Sequence, residues 1–84
     1  MRSAPQRIGD FIVRLTKVRK GEAVIELPFE KALLANRLGM KPESFSRALT
    51  RLRAHGVSID RGTVTIADVG RLLSFVEYAP DDDA

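Results

Sequence analysis

A single glycine between two short helical segments is the feature that most limits what this chain can fold into. Residues 30 to 38 have helical character and stop at Gly39, while Pro42 opens a second helix that runs to His55. Glycine accepts the positive φ that ends a helix, and proline is tolerated in the first turn of the next one. Two helices joined by so short a connection are predicted to pack as a helix-turn-helix.

The residues around Gly39 meet the packing demands of such a unit. Ala35 supplies the small side chain that is needed where the two helices cross. Apolar residues flank the turn and line both inner faces: Leu34, Leu38, Met40, Phe45, Ala48 and Leu49. Helical hairpins with no role in DNA binding share parts of this pattern, so it predicts the packing and leaves the function open.

Shorter elements are predicted on either side of the helix pair. Ser3 can cap a helix over residues 4 to 18, and Gln6 would complete a capping box with it. Residues 23 to 27 form a short β-prone run. Asp68 can cap a last helix, because an aspartate accepts hydrogen bonds from the free N–H groups of a first turn.

Residues 57 to 66 predict a β-hairpin that turns at Arg61 and Gly62. A two-residue turn would place all the apolar side chains of the two strands on one face. These side chains are Val57, Ile59, Val64 and Ile66. Arginine is a poor choice at a turn position with positive φ, so a longer loop stays open as an alternative.

Composition and charge exclude several classes of protein and favour one kind of partner. The 84 residues include no cysteine and one histidine, which excludes disulfide scaffolds, thiolate metal sites and most zinc sites. The apolar runs are too short to span a membrane. Residues 1 to 76 hold 14 basic and 7 acidic residues, a net charge of +7, whereas four acids lie in the last eight residues. A basic body of this kind predicts a polyanionic partner.

The second helix of the pair has an apolar and a polar face. At about 100° per residue its apolar side chains fall within roughly 60° of one another. They are Phe45, Leu49 and Leu52. Glu43, Ser46 and Arg47 project from the opposite side, near the end of the helix that a recognition helix inserts into the major groove. Arginine can donate to guanine, glutamate can accept from cytosine, and serine can contact several base edges, so this face is predicted to read bases.

Other basic residues surround this polar face. Lys41, Arg51 and Arg53 on the same helix, and Arg61 in the hairpin, are predicted to contact phosphates. The basic residues of the first helix are read instead as a solvated face: Arg7, Arg14 and Lys17.

The polar face has a simpler interpretation as well. Glu43 and Arg47 stand four residues apart with the acid first, which is the favoured spacing of a helical ion pair worth about 0.2–0.5 kcal/mol. Such a pair could form with no DNA role, or Glu43 could orient Arg47 toward a base. His55, next to Gly56 at the end of the helix, is expected to interact with the helix dipole.

The run from Leu27 to Leu52 resembles the DNA-binding domain of the Crp/Fnr superfamily of transcription regulators, and the likeness extends over about residues 3 to 76. Glu43, Ser46 and Arg47 match the Glu-x-x-Ser-Arg of the Fnr-like branch. The resemblance implies that these three residues read half-sites of TTGAT type within a palindrome.

The resemblance implies an α+β, mostly helical fold: a winged helix-turn-helix of three to four helices with a small antiparallel sheet. This domain would occupy residues 3 to 76, with residues 77 to 84 as an acidic, disordered tail. The helix over 42 to 55 would enter the major groove of double-stranded DNA, and the hairpin near Arg61 would follow the backbone or the minor groove. The setting would be the bacterial cytoplasm, with RNA polymerase as a further partner and no membrane.

Members of this superfamily also carry a sensor domain and a long dimerisation helix, and neither fits before Ser3. We therefore expect the output domain of a longer regulator, monomeric in isolation and homodimeric at full length. The chain is expected to bind no cofactor, since an effector or haem would belong to the sensor domain.

Two other classes of function are weighed against DNA binding. A winged-helix module that binds proteins without reading bases is the main alternative, with Leu33 and the acidic tail as its support. An enzyme is not expected, because no titratable pair in a pocket is visible. RNA binding ranks low, because the deep, narrow major groove of A-form RNA would not admit this helix.

Overall fold

The computed structural model describes residues 2 to 78, which form four helices and one three-stranded antiparallel sheet. In chain order the elements are α1 (Ala4–Leu15), β1 (Ala23–Glu26), α2 (Lys31–Arg37), α3 (Pro42–Arg53), β2 (Val57–Asp60), β3 (Thr63–Ile66) and α4 (Val69–Tyr78). The strand order is β1-β3-β2. This is the predicted winged helix-turn-helix. None of the helices in the described range is long and apolar enough to cross a membrane.

The first helix begins at the predicted capping box. The Gln6 N–H donates to the Ser3 hydroxyl at 3.3 Å, and the Ser3 N–H donates to the Gln6 side-chain oxygen at 3.0 Å. The helix ends at Leu15, so the predicted extension to residue 18 is wrong. The Thr16 hydroxyl donates to the Val13 carbonyl at 2.8 Å, and a side chain that satisfies the backbone in this way competes with further helix.

Helices α1 and α4 pack closely because α1 has a glycine at the contact. A Cβ on Gly9 would lie 2.9 Å from Val76 Cγ2 and 3.3 Å from Leu72 Cδ1. A hydrogen bond also joins the two helices, because the Nε2 of the buried Gln6 side chain donates to the Phe75 carbonyl at 3.0 Å. Glycine lowers the stability of a helix, but at position 9 it allows α1 and α4 to approach each other closely.

The turn between α2 and α3 has the predicted geometry. Gly39 adopts a φ of 69°, and Ala35 is buried. The Met40 N–H donates to the Ala35 carbonyl at 2.9 Å and the Gly39 N–H to the Asn36 carbonyl at 3.0 Å, which is the bonding of a Schellman motif. Both helices are shorter than predicted at their ends: α2 covers Lys31–Arg37, and α3 stops at Arg53, two residues before His55.

The hairpin has the predicted two-residue turn and register. Val57 pairs with Ile66 and Ile59 with Val64, and all four side chains are buried. The longer loop is not formed, because Arg61 takes the positive φ of 59° that the tight turn requires.

The remaining elements close the core. Asp68 caps α4 as predicted, accepting from the Gly70 N–H at 3.0 Å, and it also accepts from the Gly21 N–H at 3.1 Å. The core takes apolar side chains from all four helices and the sheet, among them Ile8, Ile12, Leu34, Leu52, Val57, Ile66 and Leu72. Glu77 and Tyr78 belong to α4, and the other residues of the predicted tail, 79 to 84, lie outside the described residues.

Candidate nucleic-acid interface

The polar face of α3 is open to solvent over its first turns. Glu43, Ser46 and Arg47 are all exposed, whereas Phe45 and Leu52 on the opposite face are 4% and 0% exposed. Burial of that apolar face fixes the rotation of α3 about its axis. The three predicted base-reading side chains therefore point away from the body of the domain.

The ion pair that the sequence spacing allows is not formed. In the range from residue 2 to residue 78, neither Glu43 nor Arg47 makes a salt bridge or a side-chain hydrogen bond. Thr50, one turn farther along, donates its hydroxyl to the Ser46 carbonyl at 3.1 Å. The carboxylate of Glu43 and the guanidinium of Arg47 thus keep their full hydrogen-bonding capacity for a ligand.

The predicted phosphate-contacting residues are exposed but belong to different parts of the fold. Lys41 is the residue that precedes α3, and Arg51 and Arg53 lie in its last turn. Arg53 follows Ser46 by seven residues, which puts it within about 20° of the same stripe of the helix. Arg61 stands apart from α3, on the hairpin turn.

The hairpin turn is tied to the start of α2. The Leu27 N–H donates to the Gly62 carbonyl at 2.7 Å, and the Lys31 N–H donates to the Arg61 carbonyl at 3.1 Å. A Cβ on Gly62 would lie 3.1 Å from the Phe29 carbonyl oxygen, so any other residue would require this backbone to shift by a few tenths of an ångström. The hairpin is therefore held as a wing against the same helix pair that carries the polar face.

Two arginines whose partners the sequence did not predict bind carbonyls at the ends of the helix pair. Arg7, read as part of a solvated face, donates from a terminal guanidinium nitrogen to the Leu38 carbonyl at 2.7 Å. Arg71 of α4 donates in the same way to the Ala54 carbonyl at 2.8 Å. The general attraction of cations to helix C-termini is visible in a sequence, but the partner of each arginine depends on the tertiary packing.

Between residues 2 and 78 no group of three or more His, Cys, Asp or Glu side chains is placed to hold a metal ion. His55 stacks on Phe75 with ring centroids 3.9 Å apart and 23° between the planes, a contact that the sequence did not predict.

One exposed apolar side chain lies beside the helix pair. Leu33 is 46% exposed and lines a shallow groove with Ala32, Met40 and Pro42. This groove is the feature that the protein-binding alternative would use.

Known proteins match nearly the whole described chain. The family model of the Crp-like helix-turn-helix domain matches residues 6–75. A structure from Ruegeria pomeroyi DSS-3, described as a cyclic nucleotide binding protein, is similar, with a TM-score of 0.84 and 40% identity. A second structure, described as a cAMP-binding regulatory protein from Silicibacter pomeroyi DSS-3, has a TM-score of 0.78 and 39% identity. Among curated proteins, none matches the chain.

The matched structures are much longer than this chain. Each match covers 92% of this chain but only 34% and 33% of the respective solved chains. The chain thus spans about a third of the length of these two proteins. Their descriptions refer to cyclic nucleotides, and the Fnr-like branch stays a prediction.

Proposed function

This chain belongs to the Crp-like helix-turn-helix domain family, and on that premise we propose that it binds duplex DNA in a sequence-specific manner as the output domain of a Crp/Fnr-type transcription regulator. In this proposal α3 lies in the major groove of the DNA. One observation carries it: the exposed face of Glu43, Ser46 and Arg47, which is turned outward by the buried Phe45 and Leu52. Base readout requires exposed side chains with donors or acceptors available, and Glu43 and Arg47 are exposed and make no salt bridge or side-chain hydrogen bond within residues 2 to 78.

The half-site in this proposal is TTGAT-like. Its support is the match of Glu43, Ser46 and Arg47 to the Glu-x-x-Ser-Arg pattern of the Fnr-like branch. Arg47 would donate two hydrogen bonds to the guanine of the half-site, and Glu43 would accept from the N4 amino group of the cytosine paired with it. Ser46 would contact a neighbouring base edge.

Phosphate contacts would supply most of the affinity. Lys41, Arg51 and Arg53 flank the reading face, and Arg61 presents its charge from the wing turn. Each phosphate that these side chains neutralise releases counterions, so binding would weaken as salt rises. The wing would lie along the DNA backbone or in the minor groove.

The rest of the regulator would supply the signal. The similar proteins are described as binding cyclic nucleotides, and this chain spans only about a third of their length. We assign effector binding and the stable homodimer to the part of the regulator that corresponds to the other two thirds, and no cofactor to this chain. Alone, the chain would act as a monomer with low affinity for one half-site. RNA polymerase would be a further partner of the full regulator in the bacterial cytoplasm.

A titration of fluorescent duplexes at two salt concentrations tests the proposal. A duplex with a TTGAT-like palindrome should bind more tightly than a scrambled duplex of the same composition, and both affinities should fall as salt rises. Selection from a random duplex pool should then enrich the half-site. If no duplex binds at low salt, the proposed function is wrong. If binding occurs but another sequence is enriched, DNA binding stands and the TTGAT assignment is wrong.

The exposed Leu33 favours one second candidate, a module that binds protein through the groove beside α2. This candidate predicts no salt-dependent binding of any duplex. It also predicts that Leu33→Ser abolishes binding of the protein partner. The same duplex titration therefore separates the two functions.

A further inference from the structure

We infer that Arg7 and Arg71 are positioning residues of the DNA-binding unit, which hold the helix pair at the angle that base readout needs. This inference rests on the proposed function, because it assigns a role in recognition to two side chains that lie off the reading face. Each guanidinium binds the carbonyl that ends one helix of the pair: Leu38 at the end of α2 and Ala54 at the end of α3.

The chemistry of a helix end explains why arginine suits these two places. The last carbonyls of a helix have no partner within the helix, and the helix dipole makes this end partially negative. Arg7 and Arg71 donate to such carbonyls at 2.7 and 2.8 Å. These are short, charge-assisted hydrogen bonds, which are roughly twice as strong as neutral ones.

The two arginines come from helices that are themselves fixed to each other. Arg7 lies on α1 and Arg71 on α4. The close packing at Gly9 and the hydrogen bond from Gln6 to the Phe75 carbonyl join α1 and α4. The helix pair is therefore held at both of its C-terminal ends by a single packed unit, and the two bonds link residues 31 and 17 positions apart in the chain.

The bonds of Arg7 and Arg71 would affect DNA recognition more than the stability of the fold. Both hydrogen bonds are exposed to solvent, so losing one leaves no buried group unsatisfied and costs folding little beyond the bond itself. Base contacts, in contrast, depend on side chains held within about 0.5 Å of the productive geometry. A small tilt of α3 would weaken contacts to bases while leaving the mobile, longer-range contacts to phosphates almost unchanged.

The test compares Arg7→Met and Arg71→Met with Arg14→Met in the 84-residue chain. Arg14 offers a matched control, because it is an exposed arginine of α1 whose described bond is to Asp10 on the same helix. The readouts are the affinities for cognate and scrambled duplexes, the salt slope, the melting temperature and the 13C shifts of the Leu38 and Ala54 carbonyls.

We expect Arg7→Met and Arg71→Met to weaken cognate binding about fivefold to tenfold more than Arg14→Met does. Scrambled duplexes and the salt slope should change no more than in the control. The carbonyl shift of Leu38 should move in Arg7→Met alone, and that of Ala54 in Arg71→Met alone. Arg7→Lys keeps a donor and the charge, so it should recover part of the lost discrimination.

Two results would overturn the inference while leaving the proposed function intact. The first is a cognate-to-scrambled ratio equal to that of Arg14→Met. The second is equal weakening of both duplexes with a salt slope lower by about one, which is the behaviour of a phosphate contact. If the unsubstituted chain binds no duplex, the proposed function itself fails, and the carbonyl shifts then still report whether the two bonds exist. If Arg7→Met or Arg71→Met does not fold, the lysine variant of the same residue is tested in its place. A lysine variant that no longer distinguishes cognate from scrambled duplexes, while the carbonyl shifts of Leu38 and Ala54 are unchanged, contradicts a positioning role.

Discussion

The backbone N–H of Lys31 donates to the carbonyl of Arg61 at 3.1 Å, which joins the first residue of α2 to the turn of the wing. The bond satisfies one of the N–H groups that a helix start leaves free, and Glu30 makes no side-chain cap at this helix. Arg61 itself lies in the left-handed region, at a φ of 59°. The wing therefore supplies an acceptor to the start of α2, while its arginine has a backbone conformation that L side chains rarely adopt.

Replacing Arg61 separates this backbone strain from the arginine's charge. Arg61→Gly should be more stable than Arg61→Ala by about 0.5–1 kcal/mol, because relief of the left-handed penalty of about 1–2 kcal/mol exceeds the entropy that glycine costs. Both variants lose the same positive charge, so each should lower the salt slope of DNA binding by about one. Denaturant unfolding and duplex titration at several salt concentrations measure the two effects. A glycine variant no more stable than the alanine variant would contradict the strain.

Gly9 should resist substitution despite its position inside a helix. Alanine is the better helix former by up to about 1 kcal/mol, but its Cβ would lie 2.9 Å from Val76 Cγ2. Overpacking of this kind costs about 1–3 kcal/mol, so Gly9→Ala should lower the free energy of unfolding overall. Ser74→Ala, at an exposed site of α4, provides the control and should change stability little. An unchanged or higher free energy of unfolding for Gly9→Ala would mean that α1 and α4 can move apart freely.

Local sequence patterns predicted which helices and strands form better than they predicted the residues at which these elements end. The hairpin register followed from alternation and one turn, and the helix pair followed from Ala35 and Gly39, because these signals act between near neighbours. The C-terminal ends of α1 and α3 could not be predicted from these patterns. In α1 the apolar spacing continues to Val18, but the Thr16 hydroxyl bonds to the backbone and the helix ends at Leu15.

The candidate site was also predictable only in part from the sequence. The outward face of α3 was predictable, because burial of the opposite face dictates it. Whether Glu43 forms an ion pair with Arg47 was not predictable, because their spacing allows the pair without requiring it. The bonds of Arg7 to Leu38 and of Gln6 to Phe75 were not predictable either, because they join residues that only the tertiary packing brings together.

Asp68 should stabilise two parts of the fold at once. Its carboxylate accepts from the N–H groups of both Gly70 and Gly21, so it fixes the start of α4 and the loop before β1 together. Asp68→Ala should lower the free energy of unfolding by about 1–2 kcal/mol and increase amide hydrogen exchange at Gly21. Asp68→Asn should retain most of the stability, because asparagine caps helices about as well. Equal losses in the two variants would instead point to the charge of Asp68 as the source of its effect.

Arg47 and Lys41 should affect DNA binding in different ways, although both are exposed cations of the α3 region. Arg47→Ala should cost about 1–3 kcal/mol on a cognate half-site and flatten discrimination at one base pair, because a bidentate contact to guanine would be lost. Lys41→Ala should weaken cognate and scrambled duplexes alike and lower the salt slope by about one. Affinities for a set of duplexes that vary one base pair at a time measure both effects. Equal weakening of all duplexes by Arg47→Ala would assign Arg47 to the phosphates and leave base readout to Glu43 and Ser46.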